Sequence, residues 1–212
     1  MGRLTRTVVL AAGLTLLVEP WAGAGGAETG APNAGAAGND SAALASPGAP
    51  EDRAKALDRL YGELAKAADA AGAEKIKHQL VEVWIEAAGP TVQILLLRDQ
   101  LATDAHDRPL RRQLLTAAAH LAPDSPVPWN LLAEVELGEQ HFSEAIADIG
   151  HALAIEPRDA QALQTLAFLL KDAGRNDLAL KAFRRLQAID PTSANIQTQI
   201  DELARKVEGQ KI

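Results

Sequence analysis

Large and small apolar residues recur along this chain at helical spacing, and from Pro126 onward the recurrence itself repeats. Trp129, Leu132, Ala133, Ala145, Ile149, Ala152 and Pro157 have counterparts 34 residues later in Leu163, Leu166, Ala167, Ala179, Phe183, Leu186 and Pro191. Apolar positions three and four residues apart mark amphipathic helices, so each unit is predicted to hold two of them. The small residues, Ala133 with Ala145 and Ala167 with Ala179, let two helix backbones approach, while the larger ones fill the space beside the crossing. Pro157 and Pro191 end the second helices. Gly138 and Gly174 stand near the turn inside each unit, where a residue free to take positive φ is wanted. Units of this kind stack in one direction, because each buries its apolar side only against a neighbour.

The same spacing extends upstream with departures. Leu57, Leu60, Tyr61, Leu64 and Ala68 predict a helix closed by Gly72, and Ile76, Leu80, Val83, Trp84 and Ala87 predict a second. Residues 51–89 therefore read as an N-terminal helical hairpin, roughly in phase with the repeats but carrying Lys77 and Trp84 where a regular unit has Ala. It is expected to act as a diverged, repeat-like cap. Residues 92–125 form a degenerate unit: Leu95, Leu115, Ala118 and Pro123 fit, but Asp99 and Arg111 stand at the two close-packing sites. An unpaired buried charge is very costly. The helices are thus expected to splay so that both charges stay near water, unless the two pair with each other. The last segment, 194–209, repeats a first helix alone. Ile196, Ile200, Leu203 and Val207 make its apolar stripe and Asp201, Glu202, Arg205, Lys206 and Glu208 cover the rest, as a solenoid's terminal capping helix requires.

Composition sharpens this all-α picture. Aromatic residues are 3% of the chain and the apolar pattern lacks β-branched alternation. The formal net charge of −7, with no basic face, disfavours nucleic acid as a partner. Without Cys there is no disulfide framework, thiolate chemistry or lipoprotein attachment. Residues 1–24 read as a signal peptide: Arg3 and Arg6, then an apolar run from Thr7 to Val18, then Ala22-Gly23-Ala24 as a small-x-small cleavage site. A membrane anchor would need about 20 apolar residues, and Glu19 interrupts this run. Retained, the segment would bring the chain to a membrane; cleaved, it leaves the mature protein in the periplasm or outside a bacterial cell. Residues 25–50 hold Gly, Ala, Pro or Ser at 20 of 26 positions and are expected to be a disordered linker, since they bury too little to offset ordering entropy.

Units 126–159 and 160–193 resemble tetratricopeptide (TPR) repeats, whose pattern runs Trp, Leu, small, then Ala, large apolar and a closing Pro. More of the chain is similar to short exported alphaproteobacterial members of that superfamily. Leu57, Tyr61, Leu64, Trp84, Gly89-Pro90-Thr91 and Leu95-Leu96-Leu97-Arg98 carry this wider likeness. The resemblance implies a right-handed solenoid of helical hairpins whose concave side, lined by first helices, holds a peptide or protein partner. Taken at positions 2, 5, 9 and 12 of each unit, that side presents Gln93, Leu96, Gln100 and Thr103, then Val127, Asn130, Glu134 and Leu137, then Gln161, Gln164, Phe168 and Lys171. Family members that grip a C-terminal carboxylate use a set of Lys, Arg and Asn that this surface lacks. Amides both donate and accept, which suits the backbone of an extended peptide. Asn130, Gln161 and Gln164 are the candidates for backbone contact, Phe168 and Leu137 for apolar contact, with Glu134 and Lys171 flanking. The other reading makes these a solvated helix face and Phe168 a packing residue. A structural subunit of an envelope assembly, docking through other surfaces, with a homo-oligomer as one form of it, is the alternative to a groove binder.

Catalysis finds little support. The five histidines, His78, His106, His120, His141 and His151, include no pair four residues apart, so the helix-borne two-histidine zinc pattern is absent. His78 has Glu74 and Glu82 a turn to either side and His120 has Asp124, arrangements more often met as surface pairs. No phosphate loop or nucleophile elbow is present. Neither an enzyme, a cofactor nor a metal site is expected.

Overall fold

The structure, a computed structural model, describes residues 50–209, and among them it places helices and no strand. The expected signal peptide, 1–24, and the linker up to residue 49 lie outside the described residues. The chain runs α1 (Pro50–Leu64), α2 (Ala70–Ala87), α3 (Pro90–Asp104), α4 (Arg108–Leu121), α5 (Val127–Gly138), α6 (Phe142–Ile155), α7 (Ala160–Asp172), α8 (Asn176–Ile189) and α9 (Ile196–Gly209). Helix starts follow local chemistry. Asp69, Asp107 and Asp159 each accept a hydrogen bond from a first-turn N–H, of Gly72 at 2.7 Å, Leu110 at 3.1 Å and Ala162 at 3.1 Å. Gly72 therefore does not close the first helix, which ends at Leu64; the Asp69 cap places it in the first turn of α2. Gly138 likewise stays helical. The left-handed turn residue of each unit is His106, Gln140 or Gly174, again 34 residues apart, and the glycine expectation holds at Gly174 alone.

Successive pairs α3–α4, α5–α6 and α7–α8 form antiparallel hairpins stacked in series, with α9 against α8. Ala133, Ala145, Ala167 and Ala179 are all 0–2% exposed at the crossings, so the small-residue logic governs the two regular units. In α3–α4 the crossing is made differently. Asp99 and Arg111 are both buried, and Arg111 donates through Nε to Asp99 Oδ1 at 2.9 Å and through Nη2 to Oδ2 at 3.3 Å. The helices do not splay to water; a two-pronged ion pair occupies the space of two methyl groups. Its planar fork satisfies both carboxylate oxygens, which is what makes burial of the pair tolerable.

The N-terminal hairpin departs further from a serial cap. Leu57, Leu60, Tyr61 and Leu64 of α1 with Ala73, Leu80 and Trp84 of α2 form one core with Val127 at the start of α5, and Ile155 and Ile189 at the ends of α6 and α8 pack against it. The hairpin thus lies along the edge made by the loops between repeats. Each loop gives it one ion pair: Arg53 to Asp124 at 2.9 Å, Asp58 to Arg158 at 2.7 Å, and Lys77 to Asp190 at 3.3 Å. Arg158 also stacks over Tyr61 at 4.4 Å and holds the buried Glu156. Lys77 and Trp84 break the small-residue pattern because they face this edge. Burial of each large apolar side chain here contributes about 1.5–3 kcal/mol, more than the exposed ion pairs.

Candidate functional site

Laying α2 across the repeat edge encloses a cleft of about 440 Å³. One wall is α2, with Lys77, His78, Val81 and Trp84; the other is the first turns of α5 and α7, with Asn130, Gln161 and Gln164. A second cavity of about 80 Å³ adjoins it between α5 and α7, sharing Asn130 and Gln161 and adding Glu134 and Leu137. Five of the seven sequence candidates therefore line these two adjoining cavities. Phe168 and Lys171 do not. Phe168 sits edge-to-face on Phe183 with ring centroids 5.2 Å apart, and Lys171 donates to Gln199 at 2.6 Å and Glu202 at 3.3 Å, so α9 occupies that end of the groove.

The polar groups of the cleft divide into committed and open ones. Asn130 Nδ2 donates to Asp159 Oδ2 at 2.5 Å, fixing the start of α7 against α5. Burial raises the Asp159 carboxyl above its ordinary value, against the opposing hydrogen bonds of the Ala162 N–H and Asn130. Lys77 bridges Glu74 at 2.6 Å and Asp190 at 3.3 Å. Burial works against the Lys77 charge, but the Glu74 hydrogen bond and the Asp190 charge outweigh it and raise its pKa. Asp190, fully buried, is pushed up by that burial and pulled below the usual carboxylate range by hydrogen bonds from Thr192 and Ser193 and by Lys77. Gln161 and Gln164 are different: among the described residues their side-chain amides make no internal hydrogen bond, and Val81 stands 37% exposed on the facing wall. Open amides opposite an apolar side chain can take up a peptide backbone and one apolar side chain. Sequence reading reached the amide wall but not the α2 wall. The signal was present in Lys77 and Trp84, whose misfit to the repeat marks the face α2 turns to the edge.

One set of metal-ligand side chains gathers elsewhere. Glu136, Glu139 and His141 bring ligand atoms within 4.8 Å of one another at the end of α5. Arg112 stands among them, donating to Glu136 at 2.7 Å and 3.1 Å and to Glu139, and its hydrogen bond is the main reason Glu136 lies below its usual pKa. A guanidinium already fills the position a cation would take. His78, flanked by Glu74 and Glu82 in sequence, has lost Glu74 to Lys77.

The tetratricopeptide repeat family model matches residues 52–200. The chain belongs to the TPR family. A TPR repeat-containing protein of Rhizobium etli is 30% identical over 155 residues, covering 73% of this chain and 76% of that protein. Among solved structures, the first TPR of Spaghetti (RPAP3), bound to the HSP90 peptide SRMEEVD, superposes with a TM-score of 0.50 at 14% identity, over 56% of this chain and 96% of that one. The first TPR domain of human RPAP3 gives 0.50 at 13% identity, over 57% and 95%. These likenesses establish the fold, a right-handed TPR solenoid of the kind that serves as a protein-protein interaction module.

Proposed function

We propose that this TPR protein is exported and binds an extended segment of a protein partner in the cleft between α2 and α5–α7. The observation that carries the reading is the pair of uncommitted amides, Gln161 and Gln164, facing the exposed Val81 across a space of about 440 Å³. That volume falls within the usual range for ligand sites, roughly 300–1,000 Å³. Glu74, Glu82 and Asp190 outnumber Lys77 around it, so a neutral or basic segment suits the cleft and an acidic one such as the HSP90 peptide SRMEEVD does not. The test is to select binders from a displayed peptide library against the full chain and measure their affinity by calorimetry. Changing Gln161 and Gln164 together to Ala, or Val81→Asp alone, should weaken the selected peptides about tenfold or more, near 1.4 kcal/mol. Affinity unchanged in both variants rules the cleft out. Export is checked separately by the mass of the protein recovered from the bacterial envelope fraction, which should begin at Gly25.

A second reading, a subunit of an envelope assembly that docks through another surface, is favoured by the outer face of α3, where Ile94, Leu97 and Leu101 are 58%, 63% and 62% exposed.

A further inference from the structure

The geometry points to self-association of this chain through the outer face of α3, with a second copy's α3 packed antiparallel on Ile94, Leu97 and Leu101. The inference is independent of the cleft. Its starting point is the repeat itself. Adding 34 to these positions gives Pro128, Leu131 and Val135 on α5, and Val135 is 1% exposed in a core with Leu115 and Ala119 of the preceding α4. Adding 34 again gives Ala162, Thr165 and Leu169 on α7, where Ala162 is 1% exposed in a core with Ile149 and Ala152 of α6, and Leu169 packs on that core. In both regular units this face is covered by the second helix of the unit before. Among the described residues nothing covers it in α3, because α2, which occupies that place in the sequence, lies along the repeat edge against Val127, Ile155 and Ile189 instead.

α3 carries apolar side chains on two faces. Val92, Leu95 and Leu96 pack inward while Ile94, Leu97 and Leu101 face out between Gln93, Arg98 and Gln100, and a second apolar stripe rimmed by polar residues marks an interaction surface. Three features make a second α3 the occupant. The stripe is nearly palindromic: an antiparallel partner related by a two-fold axis between Leu97 and Arg98 sets Ile94 against Leu101 at both ends and Leu97 beside its own counterpart, as an isologous contact requires. The same register brings Asp104 to the other copy's Thr91, beside a helix start that has no side-chain cap, where a carboxylate is favourable. Finally, the last described helix offers no such face, since α9 turns Gln197, Asp201 and Arg205 outward. Against these stands Arg98, which meets its own counterpart near the axis, and the net charge of −7 on each copy. The contact should therefore tighten with salt, the reverse of a charge-driven one.

The test uses the full chain in sedimentation equilibrium from about 1 to about 500 µM at low and high salt, a span set by the small face relative to the ~800 Å² per partner of a standard interface. A monomer–dimer equilibrium whose constant tightens with salt is expected, and Leu97→Glu should weaken it tenfold or more while leaving the circular dichroism spectrum unchanged. The absence of native Cys allows a second readout: Leu97→Cys should form a disulfide with its own copy under mild oxidation, whereas a Cys introduced at the exposed Thr116 of α4 should not. A chain that stays monomeric throughout, with Leu97→Cys freely labelled by a maleimide and not cross-linked, overturns the proposal. So does a monomer in which that Cys resists the maleimide, which would mean that residues preceding Pro50 cover the face. A dimer indifferent to Leu97→Glu overturns it as well, by placing the contact elsewhere.

Discussion

The hairpins α3–α4 and α7–α8 are written on one template and solve its tightest point in opposite ways. Where α7 and α8 cross, Ala167 and Ala179 are both 0% exposed and the backbones close on two methyl groups. Where α3 and α4 cross, Asp99 and Arg111 do the same job at 4% and 8% exposure. A charged pair can stand in for a small pair when the guanidinium donates to both carboxylate oxygens, but the substitution is conditional on both being present. Either residue alone is a buried charge.

The sharpest way to break that comparison follows. Asp99→Ala or Arg111→Ala alone should cost about 3–5 kcal/mol in urea unfolding, because the abandoned partner cannot be re-solvated. Changing both to Ala restores the arrangement of α7–α8 and should cost far less than either single change. If the double variant is as unstable as the sum of the singles, the pair is not acting as a unit and the equivalence of the two crossings fails.

The second contrast is between the regular repeats and the N-terminal hairpin laid along their edge. Lys77→Met keeps the stem of the side chain and removes its charge from Asp190. Because hydrogen bonds from the Thr192 N–H and hydroxyl and the Ser193 hydroxyl remain, the loss should be about 2 kcal/mol, short of the full cost of breaking a buried pair. The pH dependence has a definite sign. Asp190 is depressed in the folded state, so its contribution is present above the ordinary carboxylate value near 4 and is lost as pH falls through the folded value. In Lys77→Met that acid-side loss should shrink. An acid-unfolding profile identical to the native one would show that the hairpin is not held at this loop by charge.

How much of this was legible in the sequence depends on whether a residue obeyed the repeat. Ala133, Ala145, Ala167 and Ala179 announced two helical hairpins and their close crossings, and the all-α solenoid followed. The pairing of Asp99 with Arg111 could be read from phase as one of two alternatives, but their burial could not, since it depends on the forked geometry. Lys77 and Trp84 showed that the first hairpin was irregular without showing why. Their reason is long-range: contacts with Asp190 and Val127 join residues about a hundred and about forty positions apart, and no local period encodes them. The candidate groove divided for the same reason. All seven candidates obey the repeat; Asn130, Glu134, Leu137, Gln161 and Gln164 line the two adjoining cavities, whereas Lys171 is engaged by α9 and Phe168, 38% exposed, leans edge-to-face on Phe183.

A smaller effect sharpens the comparison inside the repeats. At the position where α4 has Leu114 and α8 has Ala182, α6 carries Asp148, a carboxyl on a face its counterparts bury. Burial first, then the charge of Glu136, with a lesser push from Glu144 that His151 more than opposes, raise it to about 6. A folded pKa raised above the unfolded value means that the folded chain holds the proton more tightly. Stability is therefore highest below the unfolded value near 4, falls as pH rises between about 4 and about 6, and stays lowered above that. Asp148→Asn removes the penalty without changing shape. It should leave stability unchanged at about pH 3.5 and raise it by about 1–2 kcal/mol at about pH 7.5, the full conversion of the shift being discounted for the group's partial exposure. Urea unfolding at the two pH values reads this directly. A gain of the same size at both would mean that the Asp side chain is disfavoured there for reasons of packing, and that α6 differs from α4 and α8 in shape rather than in charge.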